Sequence, residues 1–386
     1  MNSFVFSTAK SLISEVGGIR DLANICINLG VTNPLIITDP GIVSLGLHKS
    51  ATKSLRLANI TYGLFSDVCA DPDEVVVNAA RKYAVETHVD GIVGLGGGSS
   101  MDVAKLVAVL AKGNQSLNDI YGVDNIKNDR LPLILVPTTA GTGSEVTPVS
   151  IVTVSEQEKK GVVSPILIPD VALLDAGLTV GLPPYVTAAT GIDAMVHAIE
   201  AYTSIHKKNP YSDMLAREAL KLLSRNIHTA VHHGSDLNAR NAMLYGAMLA
   251  GQAFANAPVA AVHALAYPLG SYYHIPHGLS NSLVLPHVMR FNSDVASDLY
   301  AELMPCILRD SDSLNGTNVE KTNILIEYLV DLIHSLGLPS TLESLNVEAH
   351  KLPMLAEASM RQERLLINNP KKMQVSDALK IYQAAF

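Results

Sequence analysis

Asp193 and His197 stand four residues apart in Gly191-Ile192-Asp193-Ala194-Met195-Val196-His197-Ala198. On a helix that spacing puts a carboxylate and an imidazole one turn apart on the same face, suited to chelating a single ion. The flanking Ile192, Ala194, Met195, Val196 and Ala198 predict a largely buried helix, where an uncompensated charge is costly. Two more candidate ligands, both histidines, lie in a stretch between Arg240 and Arg290 that holds no Asp, Glu, Lys or Arg. They are His263, in Ala261-Val262-His263-Ala264-Leu265, and His277, in Ile275-Pro276-His277-Gly278. Singly, the Asp–His pair could be a surface contact and each histidine a hydrogen-bonded core residue. Together they supply three nitrogens and one oxygen, a set suited to Zn2+ or Fe2+ and not to Ca2+ or Mg2+. Ligand type alone does not separate iron from zinc.

A second cluster points to phosphate. Leu95-Gly96-Gly97-Gly98-Ser99-Ser100-Met101-Asp102 places three glycines between an apolar run and a helical pattern. Without Cβ atoms they let backbone N–H groups approach a pyrophosphate, and Ser99 and Ser100 sit where a helix N-terminus offers free donors. The pattern is not GxGxxG, and no acidic residue follows at the usual distance of about 20 residues. Asp39 instead lies upstream, at the end of an earlier apolar run. Its carboxylate could accept from a ribose 2′-hydroxyl and would repel a 2′-phosphate, which favours NAD over NADP; as Asp39-Pro40-Gly41 it is also good turn chemistry. A third apolar run ends in Pro137-Thr138-Thr139-Ala140-Gly141-Thr142-Gly143-Ser144-Glu145. The hydroxyls of Thr138, Thr139, Thr142 and Ser144 form a polar rim fit for the remaining phosphate and the nicotinamide end.

The elements that must position these groups follow from the pattern. Pro34-Leu35-Ile36-Ile37-Thr38, Gly91-Ile92-Val93-Gly94-Leu95 and Leu131-Pro132-Leu133-Ile134-Leu135-Val136 read as strands, with helical segments between them such as 72–88 and 99–112. Nearly all-apolar strands alternating with helices predict a parallel sheet covered on both faces, Rossmann-like in kind. Beyond about Pro183 strand signals almost vanish, and segments 185–203, 211–228, 237–256 and 319–336 are Ala/Leu/Met-rich and helical in period. The expected organisation is an α/β cofactor domain over 1–180 and an all-helical metal-binding domain over 181–386.

Composition narrows the function further. With 386 residues, 48% apolar and 17% charged, the chain is globular, and its net charge of −8 argues against a nucleic-acid partner. The charge-free stretch is broken by Gln252, Asn256, Pro258, His263, Pro268, His274, Pro276 and His277, unlike the roughly 20 consecutive apolar residues of a membrane span. The three cysteines form no CxxC pair and MNSFVFSTAKSL lacks a signal-peptide pattern, so a cytoplasmic location is expected.

In combination these motifs resemble the iron-containing (group III) alcohol dehydrogenase family. The matching pieces are GGGSSMDVAK at 96–105, PTTAGTGSEVTP at 137–148, GIDAMVHAIEAY at 191–202 and HALAYPLGSYYHIPHGLSN at 263–281, with KKGVVSP at 159–165 and Asn369-Pro370. The resemblance spans essentially the whole chain and implies a fold shared with dehydroquinate synthase. It implies Asp193, His197, His263 and His277 as metal ligands, with Fe2+ favoured and Zn2+ possible. It implies that Gly96, Gly97, Gly98, Ser99, Asp102, Thr138, Thr139, Thr142, Ser144 and Lys159 contact NAD, with Asp39 on the adenosine ribose and Leu178 packed on the cofactor. It further implies a homodimer or larger assembly acting on a small primary alcohol or aldehyde. Polyol oxidation of the glycerol dehydrogenase kind, or hydroxyacid–oxoacid transhydrogenation, are alternatives on the same fold. One departure stands out: many members carry a second histidine four residues after the equivalent of His263, where this chain has Tyr267. His274 is extra by comparison, and either Tyr267 or His274 is expected to take over proton transfer.

Overall fold

The structure is a computed structural model describing residues 3–155, 158–308 and 315–386. It divides into two compact units. One is Ser7–Gly181, the other Leu182–Phe386 together with the N-terminal residues up to Phe6. Phe4 and Phe6 join the second unit through the ring of Tyr211.

Among its described residues the first unit contains nine strands: β1 (Ser11–Ser14), β2 (Pro34–Ile37), β3 (Gly63–Phe65), β4 (Gly91–Gly96), β5 (Gly122–Val123), β6 (Leu133–Pro137), β7 (Val149–Ser155), β8 (Glu158–Val163) and β9 (Val171–Leu174). Its helices are α1 (Leu22–Asn28), α2 (Pro40–Ser44), α3 (Lys49–Leu57), α4 (Glu74–Glu86), α5 (Gly98–Lys112) and α6 (Leu117–Ile120). Six strands form one sheet in the order β1-β9-β6-β4-β2-β3, every neighbouring pair parallel. Successive side chains leave opposite faces of a strand. Leu35, Ile37, Ile92, Leu133 and Leu135 accordingly pack with Val77 and Ala80 of α4 and Val103 and Val107 of α5. Ile36, Val93, Leu95, Ile134 and Val136 pack on the other face with Leu22 and Cys26 of α1 and Ala51 and Leu55 of α3. Two cores, one per face, explain why these strands lack polar alternation. The remaining β5, β7 and β8 make a small separate sheet; the β7–β8 hairpin has weaker apolar patterning and was not singled out from sequence.

The chain runs outward from β2 to β3, but from β4 it crosses to β6 on the opposite side. The carboxyl ends of β2 and β4 therefore flank the point where winding direction reverses, the place where open α/β sheets bind ligands. Asp39 follows β2, and the glycine triplet closes β4.

The second unit is helical: α7 (Pro184–Thr203), α8 (Pro210–His232), α9 (Leu237–Asn256), α10 (Ala261–Tyr273), α11 (His277–Ile307), α12 (Asn318–Ser335), α13 (Leu352–Met360), α14 (Glu363–Leu366) and α15 (Val375–Ala384). No strand occurs among its described residues. Pro184 opens α7 at the first turn, where its missing N–H has no helical partner to lose. Asn209 and Asp236 cap α8 and α9 through the N–H groups of Ser212 and Ala239. The charge-free stretch is divided among α9, α10 and α11, and among the described residues no helix is long and apolar enough to cross a membrane.

α7 is buried from Gly191 through Thr203, so its polar residues must find partners inside the protein. The start of α11 supplies several, because Gly278 lets it approach α7 closely. A Cβ at this position would lie 2.3 Å from the carbonyl oxygen of Ala189 and 3.2 Å from Cβ of Asp193. Gly278→Ala is therefore expected to push the two helices apart, lowering stability by about 1–3 kcal/mol as overpacking does. A thermal melt showing a midpoint equal to that of the parent would contradict this close-approach account.

Candidate metal centre and nucleotide-binding loop

Asp193 and His197 project from one face of α7, His263 from the first turn of α10, and His277 from the first residue of α11. The structure brings these four residues together: one ligand atom from each lies within 4.8 Å of all the others. The first three are buried; His277 is the open member, with 42% of its side chain exposed. Nε2 of His277 and of His263 lie 3.6 Å and 3.9 Å from Oδ1 of Asp193. The rings of His197 and His263 stack at 4.7 Å, and the ring of Phe254 also stacks with that of His197 at 4.3 Å. Burial opposes ionisation of Asp193, yet the three imidazoles and the amide of Asn281 outweigh it and hold the carboxyl below its ordinary range.

Two residues that the sequence reading missed complete this centre. Asn281, one turn after His277 on α11, turns Nδ2 into the cluster, donating to Oδ1 of Asp193 at 2.6 Å. The same nitrogen lies 3.3 Å and 3.4 Å from Nε2 of His263 and His277. An amide NH2 has two hydrogens for three acceptors, and Oδ1 of Asn281 is buried without a hydrogen-bond partner. Such a converging set of lone pairs fits a cation better than it fits the amide. Glu200, one helical turn beyond His197, holds the back of His263, its Oε2 lying 2.6 Å from Nδ1. A carboxylate in a largely apolar helix, on the face of Asp193 and His197, is the sequence signal that could have found it.

At the carboxyl end of β4, Gly96 has φ +154°, and a Cβ there would fall 2.6 Å from Oγ of Ser100. Gly97 is the N-cap of α5 and offers no side-chain cap, so the first N–H groups of that helix, at Gly98, Ser99 and Ser100, have no helical acceptor. A pyrophosphate fits that cradle. Asp39 reaches it: Oδ2 accepts from Oγ of Ser100 at 3.3 Å, while Oδ1 caps α2 through the N–H of Ile42. The loop after β6 lies alongside, with the N–H of Thr138 donating to the carbonyl of Gly96 and that of Ser144 to Oγ1 of Thr142.

Beneath these loops the side chains are occupied with one another. Asp102 accepts from Oγ of Ser144 at 2.7 Å and from the N–H of Ile151 at 3.0 Å, clamping α5 to the β6 loop. Lys105, fully buried, donates to Oγ of Ser144, Oγ1 of Thr147 and the carbonyl of Val149. Burial pushes the Lys105 ammonium down to about 8 against the pull of Asp102 and Glu145, and pushes Glu145 up to about 7. Lys159, on β8, is ion-paired with Asp71 at 2.7 Å. Leu178 is buried in the core on the face of Ile36 and Val136. The ring of Tyr267 lies 5.9 Å from that of His277, whereas His274 is an exposed left-handed cap at the end of α10, with φ +54°.

The comparisons with known proteins agree with this geometry. Residues 9–176 match the family model for iron-containing alcohol dehydrogenase, and residues 187–386 match that for the C-terminal part of the Fe-containing alcohol dehydrogenase family. Long-chain-alcohol dehydrogenase 1 of Geobacillus thermodenitrificans (strain NG80-2) is 41% identical over 361 residues, covering 93% of this chain and 90% of that protein. Among solved structures, a 1,3-propanediol oxidoreductase superposes with a TM-score of 0.96 at 32% identity over the full length of both chains. The sulfoacetaldehyde reductase of Bifidobacterium kashiwanohense, solved in complex with NAD+, has a TM-score of 0.88 at 28% identity and covers 100% of this chain and 99% of its own. The chain belongs to the iron-containing alcohol dehydrogenase family and is an oxidoreductase.

If the four converging side chains form an ion site, Asp193→Asn keeps the volume and removes the only charged donor. The variant is expected to purify anaerobically without the stoichiometric divalent ion of the parent, measured by elemental analysis. Full metal content in the variant would count against the site.

Proposed function

We propose that this chain is a metal-dependent alcohol dehydrogenase that moves a hydride between C1 of a small primary alcohol and the C4 carbon of NAD. The observation that carries this reading is the convergence of Asp193, His197, His263 and His277 in a chain of this family. NAD finds support in the free N–H groups of α5, in Asp39 beside them, and in the NAD+ complex of the structural relative. When bound, the ion supplies Lewis-acid chemistry toward an alcohol or carbonyl oxygen, and NAD supplies the hydride acceptor or donor.

The protein's share is to hold and orient. Asp193 and the neutral imidazoles of His197, His263 and His277 would hold the ion, iron by family and zinc equally compatible with the donors. Residues 1–180 would form the cofactor-binding domain and 181–386 the metal-binding domain, a division supported by the two compact units, which part between Gly181 and Leu182. Gly96–Ser99 would cradle the pyrophosphate, with Thr138, Thr139, Thr142 and Ser144 on its rim and Asp39 on the adenosine ribose. Asp102 would act indirectly, by keeping the two loops together, and Lys159 and Leu178 are assigned to the cofactor by resemblance alone. Phe254, stacked on His197, would narrow the apolar side and favour a short substrate. Tyr267 is the better placed of the two proton-relay candidates, its ring beside the open ligand His277. Free Cys26, Cys69 and Cys306 accord with a cytoplasmic location, and a homodimer is proposed on the family resemblance.

The chemistry is tested with an NAD-linked panel of primary alcohols, polyols and hydroxyacids. Turnover that needs no added NAD would favour the transhydrogenase alternative, and absence of any metal dependence would refute the proposal. Asp39→Asn keeps an N-cap oxygen but removes the charge. It is expected to raise the NADP to NAD ratio of kcat/KM by about tenfold or more, the scale of one relieved like-charge contact. Tyr267→Phe is expected to lower kcat by on the order of a hundredfold and to alter the pH–rate profile, as loss of a general acid–base group does. A profile unchanged in both Tyr267→Phe and His274→Ala would remove the relay role from these residues.

A further inference from the structure

Glu200 lies seven residues after Asp193 and three after His197, so the three share a face of α7. It is buried, and both of its oxygens are engaged by neighbouring residues of another helix. Oε2 lies 2.6 Å from Nδ1 of His263, and Oε1 accepts from the N–H of Val262 at 2.7 Å. Val262 and His263 are the second and third residues of α10, whose N-cap, Ala260, has no side chain able to cap. Glu200 thus provides from α7 the cap that α10 lacks, at the end of the helix that favours a negative charge. No residue between 241 and 289 could do so with a carboxylate, since that stretch contains no Asp or Glu.

The contact also determines which nitrogen of His263 carries hydrogen. With hydrogen on Nε2, the bare Nδ1 would face a carboxylate oxygen at 2.6 Å with nothing between two acceptors. With hydrogen on Nδ1, that contact is a charge-assisted bond, and Nε2 keeps its lone pair. Nε2 is the nitrogen that faces Oδ1 of Asp193, and it is positioned to accept from the amide of Asn281.

We propose that Glu200 is a positioning residue of the metal centre: it locks His263 with hydrogen on Nδ1 and presents Nε2 to the ion as a strengthened donor. This rests on the metal-centre reading above. It assigns Glu200 two linked tasks, capping α10 and setting the orientation and basicity of one ligand carried by that helix.

The test is Co2+ binding by the full-length chain after chelator stripping, with a chromophoric chelator as competitor and the visible Co2+ spectrum read on the same samples. Glu200→Gln is nearly isosteric, yet it can accept at only one of its two terminal atoms. Glu200→Ala removes both acceptors. Affinity is expected to fall by about ten- to a hundredfold in both variants, the usual effect of losing an outer partner of a ligand, and the ligand-field bands are expected to shift. Should Glu200→Ala fail to fold, Glu200→Gln decides. A folded Glu200→Gln protein with Co2+ affinity within twofold of the parent and an unshifted spectrum would overturn the proposal, even if its melting point dropped. Glu200 would then be a helix cap and nothing more. A parent chain that binds no Co2+ at all would overturn the metal reading, and this inference with it.

Discussion

A carboxylate buried among three imidazoles is the constraint on which the helical unit turns. Taken out of water, Asp193 needs positive charge or hydrogen-bond donors around it, since an isolated buried ion is costly. The amide of Asn281, on α11, supplies a donor, and an ion held together with His277 of α11 and His263 of α10 would supply the charge. α11 could not come so near α7 with an ordinary side chain at position 278, since a Cβ there would lie 2.3 Å from the carbonyl oxygen of Ala189. Glu200 extends the same logic outward. It is a second buried carboxylate on α7, satisfied by the N-terminus of α10 and the outer nitrogen of His263. Packing and electrostatics are linked here, because the groups that face the buried carboxylates of α7 come from the N-terminal ends of α10 and α11.

The α/β unit is organised by a different constraint, the need to keep the backbone free at one end of a sheet. Strands buried on both faces fix the positions of β2, β4 and β6, and the reversal of winding leaves room at the carboxyl ends of β2 and β4. What lines that room is mostly main chain: the first N–H groups of α5, the tight turn at Gly96 and the neighbouring turn after β6. The ionisable residues of the same motifs lie beneath, where Lys105, Asp102 and Ser144 tie α5 to the loop. Binding would fall to the backbone and rigidity to the side chains, a division suited to an anion whose charge is best met by fixed dipoles.

Much of this was legible in the sequence, and for identifiable reasons. The apolar runs at 34–38, 91–95 and 131–136 read as strands buried on both faces, and the segments of helical period after 183 read as helices, as the structure has them. Helix spacing placed Asp193 and His197 on one face. Less legible were β1, β3 and the β7–β8 hairpin, which are short or of mixed polarity. The association of Phe4 and Phe6 with Tyr211 lies beyond local pattern altogether. Leu178 illustrates the same limit: a leucine after a strand does not announce in sequence that it will join the core on the face of Ile36 and Val136.

What the sequence determined by itself is the set of chemical groups and their local geometry: three nitrogens and one oxygen for an ion, a glycine turn before a helix, an acidic residue after a strand. Periodicity and chemistry are properties of neighbouring residues, so they can be read along the chain. What only the tertiary structure decided is how groups distant in sequence meet: that Glu200 stands behind His263, that Asn281 enters the cluster, that Asp39 reaches Ser100, and that Tyr267 and not His274 lies against His277. These contacts depend on the packing of helices and on the order of strands. Spacing along the chain carries no record of which faces will meet, whereas burial requires that each polar group, once enclosed, find its partner.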